Sequence, residues 1–306
     1  ETTGLDTITA ELVGMSFATI PGKAWYVPVP ENLEEAKALV ARFKPAFSNP
    51  AIGKTAQNMK FDIAILANYG IEIAGPTFDT MLAHYLIEPD MRHNMDLLSQ
   101  TYLNYSPVSI ENLIGKKGKL QTTMRTVPLE EIKEYAAEDA DVTLQLRNIL
   151  EPKLQETDTL KIFKEIEMPL VPVLAGMEAA GVKLDSKALN DFSKELHLDI
   201  IKVQEEIWQL AGTDFNIASP KQLGEILFER LKIDEKPKKT ATKQYQTGED
   251  VLQKLIHKNP IVQLILDFRG LSKLKSTYVD ALPLLVNPVT GRIHTSYNQA
   301  VAATGR

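Results

Sequence analysis

The spacing of apolar residues changes part-way along the chain, and this change limits the possible folds more than any other feature. Up to about residue 155 the pattern is mixed. "LVGMSFATI" and "AWYVPV", parted by Pro21-Gly22, read as adjacent antiparallel strands. "NLEEAKALVARF" then reads as an amphipathic helix, "FDIAILANYG" as a short helix ending at Gly70, and "FDTMLAHYLIEP" as another stopped by Pro89. A further helix follows the loop "IGKKGKLQTT". Strands first, with helices interleaved afterwards, predict an α/β domain in which a sheet is layered with helices. Beyond residue 155 the stretches "LKIFKEIEMPLVPVLAGMEAAG", "KALNDFSKELHLDIIKVQEEIWQLAG", "PKQLGEILFERLKI" and "PIVQLILDFRGLSKLKSTYVDALPLL" repeat at helical spacing. A mostly α-helical second domain is therefore expected. Ser219-Pro220 predicts a helix start, a capping hydroxyl followed by Pro at the first helical position. The Lys-rich stretch "KPKKTATKQYQTG" lacks periodicity and is expected to be a mobile loop able to meet phosphates. No internal repeat is visible.

The 306 residues are 44% hydrophobic and 24% charged, an ordinary globular balance whose length predicts two domains. There is no unbroken apolar run of membrane-spanning length and no signal-peptide pattern, so neither membrane nor export is expected. The absence of Cys excludes disulfides and thiolate metal sites and fits a reducing compartment, so the cytoplasm is expected; a monomer is expected too. Net charge is −6, with 14 basic and 20 acidic groups up to residue 155 and 20 of each beyond it. Neither half is broadly cationic, so nucleic acid must be met by local patches or metal ions. The chain opens at Glu1 and stops within "AATGR", which reads as a fragment of something longer.

"YAAEDADVTLQL" carries the most informative acid. At helical spacing Ile132, Tyr135, Val142, Leu146 and Leu150 share a face, while Glu131, Glu134, Glu138 and Asp141 point away from it. Asp139 falls within the apolar arc. A carboxylate there must be hydrogen-bonded, protonated or bound to a cation, because a bare buried charge is too costly. Tyr135, one turn back, can reach whatever Asp139 holds. The ordinary explanation is a boundary acid paired with a surface Lys.

Two further acids weigh against that explanation. Asp62 lies at the start of a helix, where capping alone would account for it, and Glu1 lies at the edge of the first strand, where a frayed end would. Taken together, Glu1, Asp62 and Asp139 are three carboxylates on separate elements, with no Cys and no His pair at ligand spacing. All-oxygen ligation suits Mg²⁺ or Mn²⁺ rather than zinc. Two such ions would support phosphodiester cleavage, and a fourth acid two residues before Glu1 would share its strand face.

"ETTGLD", "QNMKFD" and "YAAED" resemble the three exonuclease motifs of the 3′→5′ proofreading domain in family A DNA polymerases. "FDTMLAHYLIEPDMRHNMDLL", "SPKQLGEILFERL", "DFRGLSKLKSTYVDALP" and "NPVTGRIHTSYNQAVAATGR" resemble the exonuclease, thumb and early palm segments of the same family, so the likeness covers essentially the whole chain. It implies a ribonuclease H-like exonuclease domain over 1–153, with a mixed sheet and flanking helices. A helical thumb over 154–285 and the start of a palm over 286–306 would follow. It further implies Glu1, Asp62 and Asp139 as ligands of a two-metal Mg²⁺ site that Mn²⁺ can also fill, with Tyr135 orienting the attacking water. Leu5, Gln57, Asn58, Arg92 and Met95 would meet the last nucleotides of single-stranded DNA, Leu5 as an apolar wedge. In the thumb, Arg269, Lys273 and Ser276 recur at helical spacing with Lys275 beside them, and the resemblance places them on duplex phosphates. Plain core is the ordinary account of Leu5 and Met95, and solvated charge that of Arg92 and the thumb residues.

The family's first motif has an Asp two residues before its Glu, and this chain starts after that position. The exonuclease activity of the fragment is therefore in doubt. Arg306 matches the start of a palm motif that touches the primer end, but without the rest of palm and fingers the fragment is not expected to polymerise DNA. A stand-alone exonuclease acting on RNA and a non-catalytic DNA-holding module are the alternatives. Degradation of single-stranded RNA would mark the first, and weak Mn²⁺ binding the second.

Overall fold

The computed structural model describes residues 1–304. The chain divides into two compact units, one formed by 1–181 with 294 onward and the other by 182–293. The helical stretch 154–180 and the segment from 294 both fall in the first unit.

The first unit is a mixed α/β assembly. β1 (Gly14–Ile20) and β2 (Lys23–Pro28) form the expected antiparallel hairpin, with Met15 opposite Val27 and Phe17 opposite Trp25. The tight turn between them uses Gly22 at φ +78, a backbone conformation that side chains resist. α1 (Leu33–Ala41) starts where Asn32 accepts hydrogen bonds from the backbone N–H groups of Glu34 and Glu35. A short α2 (Lys44–Phe47) leads to β3 (Lys54–Ala56) and α3 (Met59–Ala67). β4 (Thr77–Asp79) pairs parallel with β3 and runs directly into α4 (Thr80–Ile87). The sequence reading extended that helix back through Phe78 and Asp79. Here Asp79 instead ends the strand and caps the helix, accepting from the N–H groups of Met81 and Leu82. α5 (Met95–Leu103) and α6 (Glu111–Ile114) follow.

α7 (Leu129–Glu156) is the spine of this unit and packs against β1, β2, α4 and α5. Its buried residues Ile132, Ala136, Val142, Leu146, Leu150 and Leu154 recur every four positions except for one step of six, which Asp139 bisects, as one face of an amphipathic helix requires. Acids on its outer side tether loops. Glu138 accepts from the N–H of Val108 at 2.8 Å and from the Tyr105 hydroxyl, and Asp141 accepts from the N–H of Gly22 at 2.7 Å. α8 (Leu160–Ile162), a wide π-type stretch and α9 (Met168–Ala180) complete the unit's helices, and Phe163, Met168 and Val171 join Leu82, Leu98 and Leu146 in one core.

The second unit opens with β5 (Val182–Lys183), paired antiparallel with β6 (Arg292–Ile293) at its close. Between them lie α10 (Ser186–Ala211), α11 (Pro220–Gly224), α12 (Glu249–Leu252) and α13 (Pro260–Lys273), with π-type extensions after α11 and α13. The Ser219 hydroxyl caps α11 and Pro220 occupies its first turn, as the sequence indicates. The core joins Ile207 of α10, Leu223 and Leu227, Leu252, and Ile261 and Ile265 of α13. The Lys-rich stretch holds more structure than a mobile loop. Lys239 bridges antiparallel to Tyr245, whose ring packs against Phe228 and lies beneath the Lys239 ammonium. One aromatic anchor thus closes the turn.

Candidate functional site

Glu1 is held beside β1 by backbone pairing. The Glu1 carbonyl accepts from the N–H of Val13 at 2.8 Å, and its amino group donates to the carbonyl of Gly14 at 2.7 Å. Gly14 is needed here because an added Cβ would lie 2.0 Å from the Tyr26 hydroxyl oxygen. Tyr26 stays protonated, its pKa pushed up to about 12 by burial and by the Glu1 carboxylate against the pull of Arg125.

Asp62 occupies the first turn of α3. Its pKa is raised to about 7 by burial; the chain's amino group lowers it, while the Asp79 and Glu1 carboxylates raise it. Asp139 on α7 is likewise raised to about 7, chiefly by burial and by Glu1, against the hydrogen bond it shares with Tyr135. The Tyr135 phenol is held strongly protonated by burial and by the negative charges of Asp139 and Glu1. Glu1 therefore acts on Asp62, Asp139 and Tyr135 alike, and the four groups share one electrostatic field.

A single carboxylate caps the first backbone N–H groups of α3. Asn58 caps the helix in a left-handed conformation, φ 63, without using its side chain. Instead Asp79 accepts from the N–H of Asn58 at 3.1 Å and of Met59 at 2.8 Å, while also capping α4. Burial lifts Asp79 to about 6 against the opposing pull of these N–H donors. One acid thus joins two helix N-termini and sets where Asn58 and Asp62 stand.

Among the remaining expected contacts, Leu5 is 88% exposed, which removes the plain-core account. Gln57 is engaged at both ends, donating to the carbonyl of His93 at 2.7 Å and accepting from the Thr80 hydroxyl. Arg92 is exposed, and Met95 at the start of α5 has its sulfur 3.4 Å from the Thr143 hydroxyl. The loop between them is fixed by a pair absent from the sequence reading. His84 and His93 meet Nδ1 to Nδ1 at 2.8 Å, and the Nε2 of fully buried His84 has no hydrogen-bond partner among the described residues. In the second unit Arg269 donates to the carbonyl and hydroxyl oxygens of Thr247, Lys275 pairs with Asp280 at 2.7 Å, and the Ser276 hydroxyl donates to the Ser272 carbonyl. Lys273 is exposed. Arg306 lies outside the described residues.

Among the described residues no group of three or more His, Cys, Asp or Glu side chains is close enough to enclose a metal ion. The three acids share a field, not a coordination sphere. The donor chemistry nevertheless suits a hard divalent cation. The donors are all oxygen, and two of the three carboxyls are raised well above the usual carboxylate range by burial and by neighbouring negative charge, which a cation relieves. No helix among the described residues is long and apolar enough to cross a membrane.

A mixed α/β unit with inward acids, followed in sequence by a helical unit, matches two known domain types. Residues 1–155 match the 3′-5′ exonuclease family model and residues 186–306 match that of DNA polymerase family A. The chain belongs to DNA polymerase family A and carries that family's 3′-5′ exonuclease domain. It is 44% identical to DNA polymerase I of Pseudomonas aeruginosa and 40% identical to that of Chloroflexus aurantiacus, in each case over 100% of this chain. These alignments cover 34% and 33% of the relatives, so the chain spans about a third of their length. Among solved structures it is similar to the POL domain of Pol1 from M. smegmatis in complex with DNA primer-template and dNTP. That likeness has a TM-score of 0.79 and 30% identity, and covers 97% of this chain and 48% of the other.

Proposed function

We propose that this chain is the proofreading portion of a bacterial DNA polymerase I active in DNA replication and repair. In this reading Glu1, Asp62 and Asp139 hold divalent metal, Mg²⁺ or Mn²⁺, for 3′→5′ hydrolysis of DNA. The observation that carries the reading is the 3′-5′ exonuclease match over residues 1–155, which contains all three acids, with Asp139 set among the buried residues of α7 and Asp62 in the first turn of α3. Bound divalent cations supply charge stabilisation and an activated water for phosphodiester cleavage.

The chain's own residues supply the remainder. Tyr135 stays a phenol at any working pH and lies one turn from Asp139 on α7, which suits its hydroxyl to orienting a water. Leu5, exposed three residues beyond the isolated bridge of Thr2 to Leu12, would lie against the terminal base. Asn58, Arg92 and Met95 line the approach, and Gln57 reaches the strand by exchanging one of its two partners.

The segments 154–285 and 286–306 are read as thumb and early palm. Lys273 is the thumb side chain best able to meet a duplex phosphate, because Arg269 and Lys275 already hold protein partners. DNA is thus the proposed partner, single-stranded at the exonuclease site and duplex at the thumb, of a monomer in the bacterial cytoplasm. Titration with Mn²⁺ tests the metal assignment. Binding tighter than that of the general surface, lost in Asp62→Ala, is expected; equal binding by both proteins would favour the non-catalytic reading.

A further inference from the structure

Lys60 and Glu178 form the most buried ion pair among the described residues, Nζ to Oε1 at 2.5 Å with side chains 12% and 9% exposed. Lys60 lies in the first turn of α3, two residues before Asp62, and Glu178 lies near the end of α9. A buried pair is weak evidence of stability, because well-packed apolar residues commonly replace one at no loss. This one has a third member. Glu178 Oε1 accepts the backbone N–H of Tyr297 at 2.6 Å, and Lys60 Nζ donates to the carbonyl of the same residue. A single residue of the chain is thus held by its donor and its acceptor together.

The contacts continue along that segment. His294 Nδ1 is hydrogen-bonded to the Glu178 carbonyl at 2.8 Å. Gln299 donates to the Glu167 carboxylate at 2.8 Å, and the Tyr85 hydroxyl donates to the carbonyl of Ala302 at 2.8 Å. All these residues belong to the first unit. Residues 294–302 lie within the polymerase-family match, whereas α3 lies within the exonuclease match.

We propose that Lys60 and Glu178 are a polar clasp that holds residues 294–302 against α3 and, by doing so, fixes the first turn from which Asn58 and Asp62 project. They are positioning residues for the exonuclease site, acting through α3, and this role rests on the exonuclease reading. The clasp ties the acids of one activity to the segment that belongs to the other.

The test exploits the direction of the Tyr297 contacts. In the full-length protein, the double variant Lys60→Glu/Glu178→Lys keeps two opposite charges but turns an ammonium toward the Tyr297 N–H and a carboxylate toward its carbonyl. Lys60→Met/Glu178→Leu removes both charges at similar volume, so the question stays answerable if the swap fails to fold. Lys60→Arg keeps the donor. Amide hydrogen exchange at Tyr297 is measured without metal, and exonuclease kcat and KM on a single-stranded oligonucleotide with Mg²⁺.

Exchange at Tyr297 is expected to quicken about tenfold or more in both double variants. Their kcat is expected to fall by about tenfold or more, on the scale of a small misplacement of reacting groups, while KM moves far less and Lys60→Arg retains most of the rate. Unchanged protection of Tyr297 overturns the clasp. Faster exchange with unchanged kcat overturns the positioning role. If the unsubstituted protein shows no exonuclease activity, the proposed function fails, and the exchange experiment alone still decides whether the clasp exists.

Discussion

His84 gives the sharpest quantitative prediction. Its ring is fully buried, Nδ1 meets His93 and Nε2 has no hydrogen-bond partner among the described residues, so a charged imidazole there is poorly accommodated. Burial, with His93 beside it, lowers its pKa from the ordinary 6.5 to about 4. A depressed histidine contributes stability that is fully present above about 6.5 and is lost as pH falls toward 4, because the unfolded chain binds the proton first. With those two values the loss at pH 4.5 is about 2.5 kcal/mol, and it cannot exceed about 3.4 kcal/mol at lower pH.

His84→Phe removes the titrating group and the orphaned nitrogen while keeping an aromatic ring, and His93, partly exposed, can turn to water. Urea unfolding of both proteins at pH 7.5 and 4.5 isolates the effect as a difference of differences. The unsubstituted protein should lose about 2.5 kcal/mol more than the variant between the two pH values. Equal losses, within about 0.5 kcal/mol, would refute the reasoning. The effect reaches Gln57, whose side chain the His93 carbonyl holds, so acid that loosens the pair loosens that contact as well.

Four further outcomes are expected. Asp79→Ala strips the shared acceptor from the N–H groups of Asn58, Met59 and Met81, and urea unfolding should show a loss of about 2 kcal/mol or more. Asp139→Ala in the full-length protein should abolish exonuclease action and spare polymerisation; parallel loss of both would contradict the assignment of Asp139 to one site. Leu5→Ala, at a fully exposed position, should change stability by no more than about 0.5 kcal/mol and yet slow removal of a terminal nucleotide. Lys273→Ala should lower the salt-dependence slope of duplex binding by about one, and Lys275→Ala by less, because Asp280 already neutralises that charge.

What could be read in advance follows the range of the interactions involved. The β1–β2 hairpin and the inward arc of α7 depend on local periodicity, and Asp139 was legible as an acid out of place because it falls within the arc of Ile132, Tyr135, Val142 and Leu146. The start of α11 was legible because Ser219 and Pro220 act within one turn. β3 and β4 are three residues each, too short for alternation to register, so Phe78 and Asp79 were absorbed into the following helix. An Asp two residues before "MLAHYL" is a capping signal, and reading it as one would have placed the boundary correctly. The histidine pair, the double cap by Asp79 and the Lys60–Glu178 clasp join residues 9, 20 and 118 positions apart. No local pattern encodes such contacts. The roles proposed for Glu1 and Asp62 rest on motif resemblance, since each alone has an ordinary explanation as chain end or helix cap.

The most direct test of the account is release of mononucleotides from a 3′-labelled single-stranded DNA oligonucleotide by the full-length protein with Mg²⁺ or Mn²⁺, beside the Asp62→Ala/Asp139→Ala double variant. The account predicts stepwise, metal-dependent shortening from the 3′ end that the variant lacks. Equal shortening by both proteins, or none by either, would contradict it.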